Sequence, residues 1–237
     1  MKDAGMTKAV KQKSSDSAPK AETRAEQKAR TRARILECAL DAFAERGFEG
    51  ATVRDIAAAA GVNHGLIKYH FSDKDNLWKS AVAFLFGRMR EEMKTPEGEE
   101  GMSSLEQLKS WIRRYVAYSA RHPEHARIMV QESIRDSDRL RWAVNNFIKP
   151  DHDLRAKLYE KHVREGLYPN IPRHSINYII VAVSQYLSML AHEVKLIYGI
   201  DASDPKVIDQ HADAIIELFF NHSVPGSGNS TAPRNEP

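Results

Sequence analysis

Apolar residues recur at helical spacing along most of this 237-residue sequence, and no segment sustains the alternation typical of a β-strand. The first helix is predicted over residues 29–46 and ends at Gly47. Two short helices joined by a tight turn follow between residues 52 and 71. A fourth helix is predicted to start near Ser72 or Asp73, with Ser72 and Asp75 as its capping pair.

The second half of the sequence also predicts helices, after a polar break at residues 95–102. They are expected over 103–121, from Pro123 onward, over 136–166 with a kink around Pro150, and, after a loop at 167–172, over 174–198 and 207–222. The residues expected to face inward from the kinked helix are Leu140, Val144, Phe147, Ile148, Leu154 and Leu158. The acidic residues Glu91, Glu92, Glu97, Glu99 and Glu100 are expected to be solvated. The fold class is therefore all-α.

The two short helices carry the strongest local signals. Thr52 can cap the first of them, with Asp55 three residues later in a variant of the capping box. Gly61 suits the left-handed conformation that ends a helix, and Asn63 can cap the second helix. The exposed side of that second helix would present His64, Gly65, Lys68, Tyr69 and His70, with no acidic residue among them. This arrangement suits insertion into a DNA groove, although an ordinary helical hairpin in a globular domain has the same spacing.

Residues 30–80 resemble the TetR/AcrR family of transcriptional regulators. The residues that carry the resemblance are Phe43, Gly47, Phe48, Thr52, Ile56, Ala57, Ala60, Gly61, Val62, Tyr69, His70, Phe71, Lys74 and Leu77. The resemblance implies a three-helix DNA-binding domain followed by a larger helical domain. It also implies phosphate contacts by Thr52 and Lys74 and backbone contacts by Tyr69 and His70.

The sequence departs from the common family pattern at Asn63, His64 and Lys68, which is expected to alter base preference. His64 and Lys68 are the best candidates for contacts to base edges. The full set of predicted DNA-binding residues is Thr52, Arg54, Asn63, His64, Gly65, Lys68, Tyr69, His70 and Lys74.

Charge is concentrated at the N-terminus. Residues 1–34 hold ten lysines and arginines against four acidic residues, a net +6 in a chain whose total is +3. The predicted organisation is a disordered basic arm (1–28), a helix-turn-helix domain (29–75), a helical effector-binding and dimerisation domain (76–222) and a flexible tail (223–237). The arm can follow DNA phosphates or act only as a solvated leader.

The last two predicted helices have apolar stripes too wide for a helix that faces one core. Pairing of these helices across a two-fold axis would bury the surplus and form a homodimer, which the family resemblance also implies. A deeply buried monomer core is the alternative. The predicted interface residues are Ile179, Val183, Leu187, Leu190, Ile208, Ile215 and Phe219. A dimer would recognise an inverted-repeat operator in double-stranded DNA.

A ligand pocket in the larger domain is inferred mainly from the resemblance. The residues proposed to line it are Trp111, Tyr115, Tyr118, Met129, Trp142, Phe147 and Tyr186. An apolar cavity lined in this way would suit a small, hydrophobic effector, whereas each residue alone is better explained by ordinary core packing. Effector binding would relieve repression, and an activator or an architectural DNA-binding protein without an effector is the alternative function.

No motif in the sequence supports an enzyme. A glycine-rich phosphate loop, HExxH and G-x-S-x-G are all missing, and His122 and His125 flank Pro123 at a spacing that is weak for metal ligands. We expect no catalytic residue, no metal and no cofactor. The single cysteine, Cys38, and the lack of an apolar run of 18 residues predict a soluble, cytoplasmic protein with no membrane partner.

Overall fold

The computed structural model describes residues 23–220, and within these residues it contains eleven α-helices and no strand. The N-terminal helices are α1 (Arg24–Gly50), α2 (Val53–Ala59), α3 (His64–Phe71) and α4 (Lys74–Glu92). The C-terminal helices are α5 (Ser104–Arg121), α6 (Pro123–Arg135), α7 (Asp138–Ala143), α8 (Lys149–Arg164), α9 (Arg173–Met189), α10 (Ala191–Tyr198) and α11 (Pro205–Phe220). A 3-10 turn (Glu99–Gly101) precedes α5, and a π-helical segment (Val144–Ile148) joins α7 to α8. The predicted all-α fold is confirmed.

Helix α1 begins at Arg24, five residues before its predicted start. The cause is a capping box: the Thr23 hydroxyl accepts from the Glu26 amide at 3.2 Å, and the Glu26 carboxylate accepts from the Thr23 amide at 2.7 Å. The Glu26 carboxylate accepts from both the amide and the hydroxyl of Thr23, and these two bonds lower its pKa. Residues 24–28, assigned to the disordered arm from the sequence, are therefore helical. Most of that arm (1–22), the predicted tail and the last two residues of the predicted final helix lie outside the described residues.

Helices α1 to α4 share one apolar core, into which α6 and α7 also contribute. Its largest fully buried members include Ile35, Leu36, Leu40, Phe43, Ile56, Ile67, Leu77, Trp78, Leu85 and Ile128. Ile128 belongs to α6, and the buried Ala143 of α7 joins the same cluster. Because α6 packs directly against α1, the N-terminal domain and the larger domain are continuous through their cores.

The larger domain has a second core between α5, α9 and α11. Its buried members are Leu108, Ile112, Val116, Ala212, Ile215 and Ile216, with Trp111, Val183, Ile208 and Phe219 partly buried against them. Helix α5 begins at a capping box between Ser103 and Glu106, and Pro123 starts α6, as the sequence predicts.

Instead of a break at Pro150, the structure has a π-helical segment (Val144–Ile148) before it, and Pro150 lies in the first turn of α8. A π turn adds a residue, so the helix that follows is rotated relative to a continuous α-helix. Leu154 is consequently 81% exposed and Leu158 is also exposed, so the prediction that both face inward is wrong. The half-buried side of α8 instead carries Ala156, Tyr159 and Val163.

Three local features differ from the sequence-based predictions. Asp73, and not Ser72, caps α4, since the Asp73 carboxylate accepts from the Asn76 amide at 2.7 Å while Ser72 has a positive φ of 67°. Glu99 is buried rather than solvated, and Arg114 donates to it at 2.7 Å. The helix predicted over 174–198 breaks at Leu190 into α9 and α10. None of the helices within residues 23–220 is long and apolar enough to cross a membrane.

Candidate DNA-binding surface and effector domain

The turn between α2 and α3 is built by the residues that the sequence singles out. The Thr52 hydroxyl accepts from the Asp55 amide at 3.1 Å, and the Asn63 side chain accepts from the Gly65 amide at 2.7 Å. Gly61 has a φ of +60°, which a residue with a Cβ rarely adopts. The Asp55 carboxylate does not complete a capping box; it pairs with Arg46 at 3.0 Å.

Helix α3 presents a polar, partly basic surface to solvent. His64, Gly65 and Lys68 are exposed, Tyr69 is 69% exposed, and His70 is half-buried. On its other side Ile67 and Phe71 are buried in the core, which fixes the rotation of the helix. His64 and Lys68 border a shallow hollow of about 200 Å³ that is also lined by Val53, Ile67, Ser72 and Asp73.

The remaining predicted DNA-binding residues lie at helix N-termini close to α3. Thr52 and Asn63 cap α2 and α3, Arg54 is in the first turn of α2, and all three are exposed. Lys74 opens α4 and is half-buried. Its ammonium group donates to the Glu49 carbonyl at 3.3 Å and lies 4.5 Å from the centre of the Phe48 ring.

Two basic residues of α1 adjoin the same surface, and the sequence reasoning missed them. Lys28 donates to the Tyr69 hydroxyl at 3.3 Å, and the Arg32 guanidinium lies 5.2 Å from the centre of the Phe71 ring. Burial, and then the charges of Lys28 and Arg32, lower the pKa of His70, which keeps its imidazole neutral at pH 7. The four-residue spacing of Lys28 and Arg32 could have indicated that both belong to this surface. It was overlooked because residues up to 28 were assigned to a disordered arm.

In the larger domain, the predicted pocket residues form two aromatic groups. In the first, Trp142 and Phe147 have ring centres 5.4 Å apart, and Phe147 stacks on Phe86 at 4.9 Å. Met129 packs against the first apolar core, the one that α1 to α4 share. Tyr118 continues the group through a 2.9 Å hydrogen bond to Nδ1 of His125. Burial lowers the pKa of His125 to about 3, so the ring is neutral.

The second aromatic group lies between α5, α8 and α9. Trp111 and Tyr115 stack with ring centres 5.1 Å apart, and Arg155 lies 5.4 Å from the Trp111 ring centre. Gln185 donates to the Tyr115 hydroxyl at 2.7 Å, and burial raises the pKa of that hydroxyl to about 12. Tyr186 is 54% exposed on α9 and stands apart from both groups.

The residues predicted for the dimer interface divide between surface and core. Ile179 is 42% exposed and Leu190 is also exposed, whereas Leu187 is half-buried. Ile215 is buried inside the protomer, and Val183, Ile208 and Phe219 pack against the same second core. Tyr178 and Leu218, which are not among the predicted interface residues, are exposed on α9 and α11.

The three-helix arrangement, the capped turn and the exposed basic side of α3 define a helix-turn-helix DNA-binding protein. Comparison with protein families agrees in both halves of the chain. Residues 35–81 match the bacterial regulatory proteins of the tetR family, and residues 93–225 match the C-terminal region of YcdC-like proteins. The chain belongs to the TetR family and is a transcriptional regulator of that type, which confirms the predicted family.

Curated relatives and solved structures support this assignment. The chain is 27% identical to the HTH-type transcriptional regulator RutR of Escherichia coli K12 over 191 residues, which are 80% of this chain and 83% of RutR. It is 32% identical over 111 residues to the transcriptional repressor AcnR of Corynebacterium diphtheriae, covering 41% of this chain and 58% of AcnR. The structure of AibR in complex with isovaleryl coenzyme A and operator DNA aligns with a TM-score of 0.63 at 16% identity, covering 80% of this chain and 98% of AibR. This last likeness shows the fold.

Proposed function

We propose that this protein is a ligand-responsive repressor that binds an inverted-repeat operator as a homodimer. The observation that carries the proposal is the exposed side of α3, where His64, Lys68 and Tyr69 project from a helix whose opposite side is buried in the core. A helix whose polar side is exposed and whose other side is fixed in the core is suited to enter the major groove.

Within that surface the residues divide by the part of DNA that they can contact. Lys68 and His64 would contact base edges, since both are exposed on α3 and Lys can donate to the O6 and N7 acceptors of guanine. Thr52, Tyr69 and His70 would contact the sugar-phosphate backbone. Lys74 would contact a phosphate at the N-terminus of α4, where unpaired amides and the helix dipole also favour an anion. Lys28 and Arg32 of α1 add positive charge beside them.

The dimer is supported by exposed apolar residues on α9 and α11. On α9 they are Tyr178, Ile179 and Tyr186, followed by Leu190 at its C-terminal end, and on α11 there is Leu218. Helix α10 adds Leu196, Ile197 and Tyr198. A surface of this kind marks an interaction site in a soluble protein. A two-fold pairing of α9 and α11 would bury it and hold two α3 helices at a fixed separation, which requires an inverted repeat in the DNA.

Support for responsiveness to a ligand comes from the two aromatic groups of the larger domain, whose packed rings are interleaved with few polar groups. The structurally similar AibR forms a complex with both isovaleryl coenzyme A and operator DNA. We propose a small, largely hydrophobic effector for this chain. Binding would favour a conformation in which the two α3 helices no longer match the operator, so that effector and DNA weaken each other's affinity.

The first test concerns Lys68. Replacing it with alanine should weaken binding to the preferred duplex by about 1–3 kcal/mol, because the donor to a base edge is removed, and should relax the preference at that base pair. The measurement is fluorescence anisotropy on a duplex that the wild-type protein selects from a randomised pool. Lys157→Ala, an exposed lysine of α8, is the matched control and should leave affinity unchanged. Unchanged affinity of Lys68→Ala across several salt concentrations would contradict the assigned role.

The same selection separates the proposal from its alternatives. A repressor of the proposed kind enriches an inverted repeat, whereas an architectural protein enriches no sequence. Transcription in vitro from the enriched site distinguishes repression from activation. A thermal-shift screen of small hydrophobic compounds, followed by binding assays on the enriched duplex, then tests whether any stabilising compound releases DNA.

A further inference from the structure

The Phe48 ring lies close to the end of α1 and contacts cations from both domains. The Arg139 guanidinium of α7 lies 3.6 Å from the centre of the ring, which is the distance of direct stacking. The ammonium group of Lys74, the proposed phosphate contact at the start of α4, lies 4.5 Å from the same ring centre. Arg139 of the larger domain and Lys74, the proposed DNA contact, therefore lie against the same aromatic ring.

The Arg139 side chain is held in place by an ion pair with Glu132. Its Nε lies 3.2 Å from a carboxylate oxygen of Glu132, with the arginine side chain 17% exposed and the glutamate side chain almost fully buried. Ser137 donates to the same carboxylate and accepts from the Leu140 amide at 3.0 Å, so it also caps α7. The position of the guanidinium is thus set by α6 and by the N-terminus of α7 together.

The segment that carries Phe48 is also held from the larger domain. Phe48 stacks on Phe43 of α1 with ring centres 5.9 Å apart. One turn earlier, the Gln131 amide of α6 donates to the Ala44 carbonyl at 2.8 Å. The carbonyl of Glu49, the residue after Phe48, accepts from Lys74. The Phe48 ring and the Glu49 carbonyl, which contact the Lys74 ammonium group, therefore belong to a segment that α6 and α7 hold in place.

We propose that Arg139 is a positioning residue for DNA binding: it fixes Phe48, and through Phe48 and the Glu49 carbonyl it presents the Lys74 ammonium group to a DNA phosphate. The inference rests on the proposed role of Lys74 in operator binding. A guanidinium is suited to the task because its plane stacks on the ring while its edge pairs with Glu132, and a lysine ammonium group cannot do both. A displacement of α7 relative to α1 would alter the Lys74 contact without any change in α3.

The test compares Arg139→Lys with Arg141→Lys. Arg139→Lys keeps a cation beside the buried Glu132 carboxylate, so that the fold is retained, but removes the flat stack on Phe48. Arg141 lies on the same helix, is exposed, and pairs with Asp136, which makes it the matched control. Phe48→Leu is the second variant, because it removes the ring and leaves Arg139 and Glu132 intact. Melting temperatures of all variants are recorded first.

Two measurements report on Lys74 specifically. The first is the slope of log affinity against log salt, on the selected duplex and on a duplex of unrelated sequence. Lys74→Ala should reduce this slope by about one for each phosphate that the protein no longer neutralises, and Arg139→Lys and Phe48→Leu should reduce it in the same direction. The second is a double-mutant cycle. Arg139→Lys should weaken binding on the order of tenfold in the wild-type background and have little effect in the Lys74→Ala background.

An equal effect of Arg139→Lys in both backgrounds, or an unchanged salt slope, would overturn the proposal, since a merely structural role predicts that result. Because phosphate contacts do not depend on base sequence, the duplex of unrelated sequence keeps the test valid even when no preferred site is found. Failure to select a sequence would therefore count against the proposed function, and absence of the coupling would count against the role of Arg139.

Discussion

Gly47 is the point at which the long first helix departs from helical geometry. Its φ is 69° and its ψ is 174°, and it is buried against α6. A Cβ at this position would lie 3.0 Å from the Gln131 side-chain oxygen and 3.5 Å from the Arg135 guanidinium. Glycine is therefore required for two reasons: the backbone has a positive φ, and α6 leaves little room for a Cβ.

We expect Gly47→Ala to lower the free energy of unfolding by about 1–3 kcal/mol, because a Cβ strains the positive φ and displaces Gln131. Urea unfolding followed by circular dichroism measures it. Gly87→Ala in α4 is the control: nothing lies within 4 Å of its Cβ position, so alanine should be neutral or stabilise by up to about 1 kcal/mol. Equal effects of the two substitutions would exclude the special role of Gly47.

At the residue scale, the sequence predicted the contacts between residues that are close in the chain. Thr52 and Asn63 each bond an amide two or three residues away, so residue type and spacing were sufficient. Lys28 meets Tyr69 across 41 positions, and Arg139 reaches Phe48 across the domain boundary. Such contacts depend on how helices cross, which no local pattern encodes.

The start of α4 shows how a helix terminus can combine stability with function. Asp73 caps the helix through the Asn76 amide at 2.7 Å and also accepts from the Asn76 side chain at 2.9 Å. The next residue is Lys74, whose ammonium group is proposed to meet DNA. The cap therefore determines where the first turn, and with it Lys74, begins.

We predict that Asp73→Ala lowers the free energy of unfolding by about 1 kcal/mol and weakens DNA binding, because the first turn of α4 frays. Asp73→Asn retains an oxygen acceptor and should preserve stability within a few tenths of a kcal/mol. The measurements are urea unfolding and anisotropy on the selected duplex. If Asp73→Asn were as destabilising as Asp73→Ala, the contribution of Asp73 would come from its charge and not from capping.

At the element scale, the positions of helices were predictable and their rotation was less so. Helix α5 and the start of α6 follow the predicted boundaries because Ser103, Glu106 and Pro123 are local signals. The exposure of Leu154 was not predictable, since the π-helical segment before it rotates α8 and no sequence periodicity announces a π turn.

At the scale of the whole molecule, the proposed function depends on two protomers acting together. One α3 helix offers few base contacts, and the proposed coupling of two of them through α9 and α11 would convert the second binding event into an intramolecular one. The exposed Ile179 lies on the surface proposed to make that connection.

Ile179→Glu should convert the dimer to a monomer at micromolar concentration, because each protomer would have to bury an unpaired carboxylate in the interface. Operator affinity should fall on the order of a hundredfold as the second half-site is lost. Sedimentation velocity and anisotropy measure the two effects. Leu154→Glu, at an apolar residue exposed on α8, is the control and should change neither. A monomeric wild-type protein would refute the dimer itself.

The core shared by α1, α4, α6 and α7 has a consequence for protein engineering. A regulator with new specificity could be sought by exchanging N-terminal segments between relatives, as if the two parts were interchangeable modules. In this chain a transplanted segment would lose Ile128 as a packing partner, Gln131 as a donor to Ala44 and Arg139 as the stacking partner of Phe48. A working chimera therefore has to import these three positions together with the segment, and the boundary for grafting runs along the α6 and α7 surface rather than through a point in the chain.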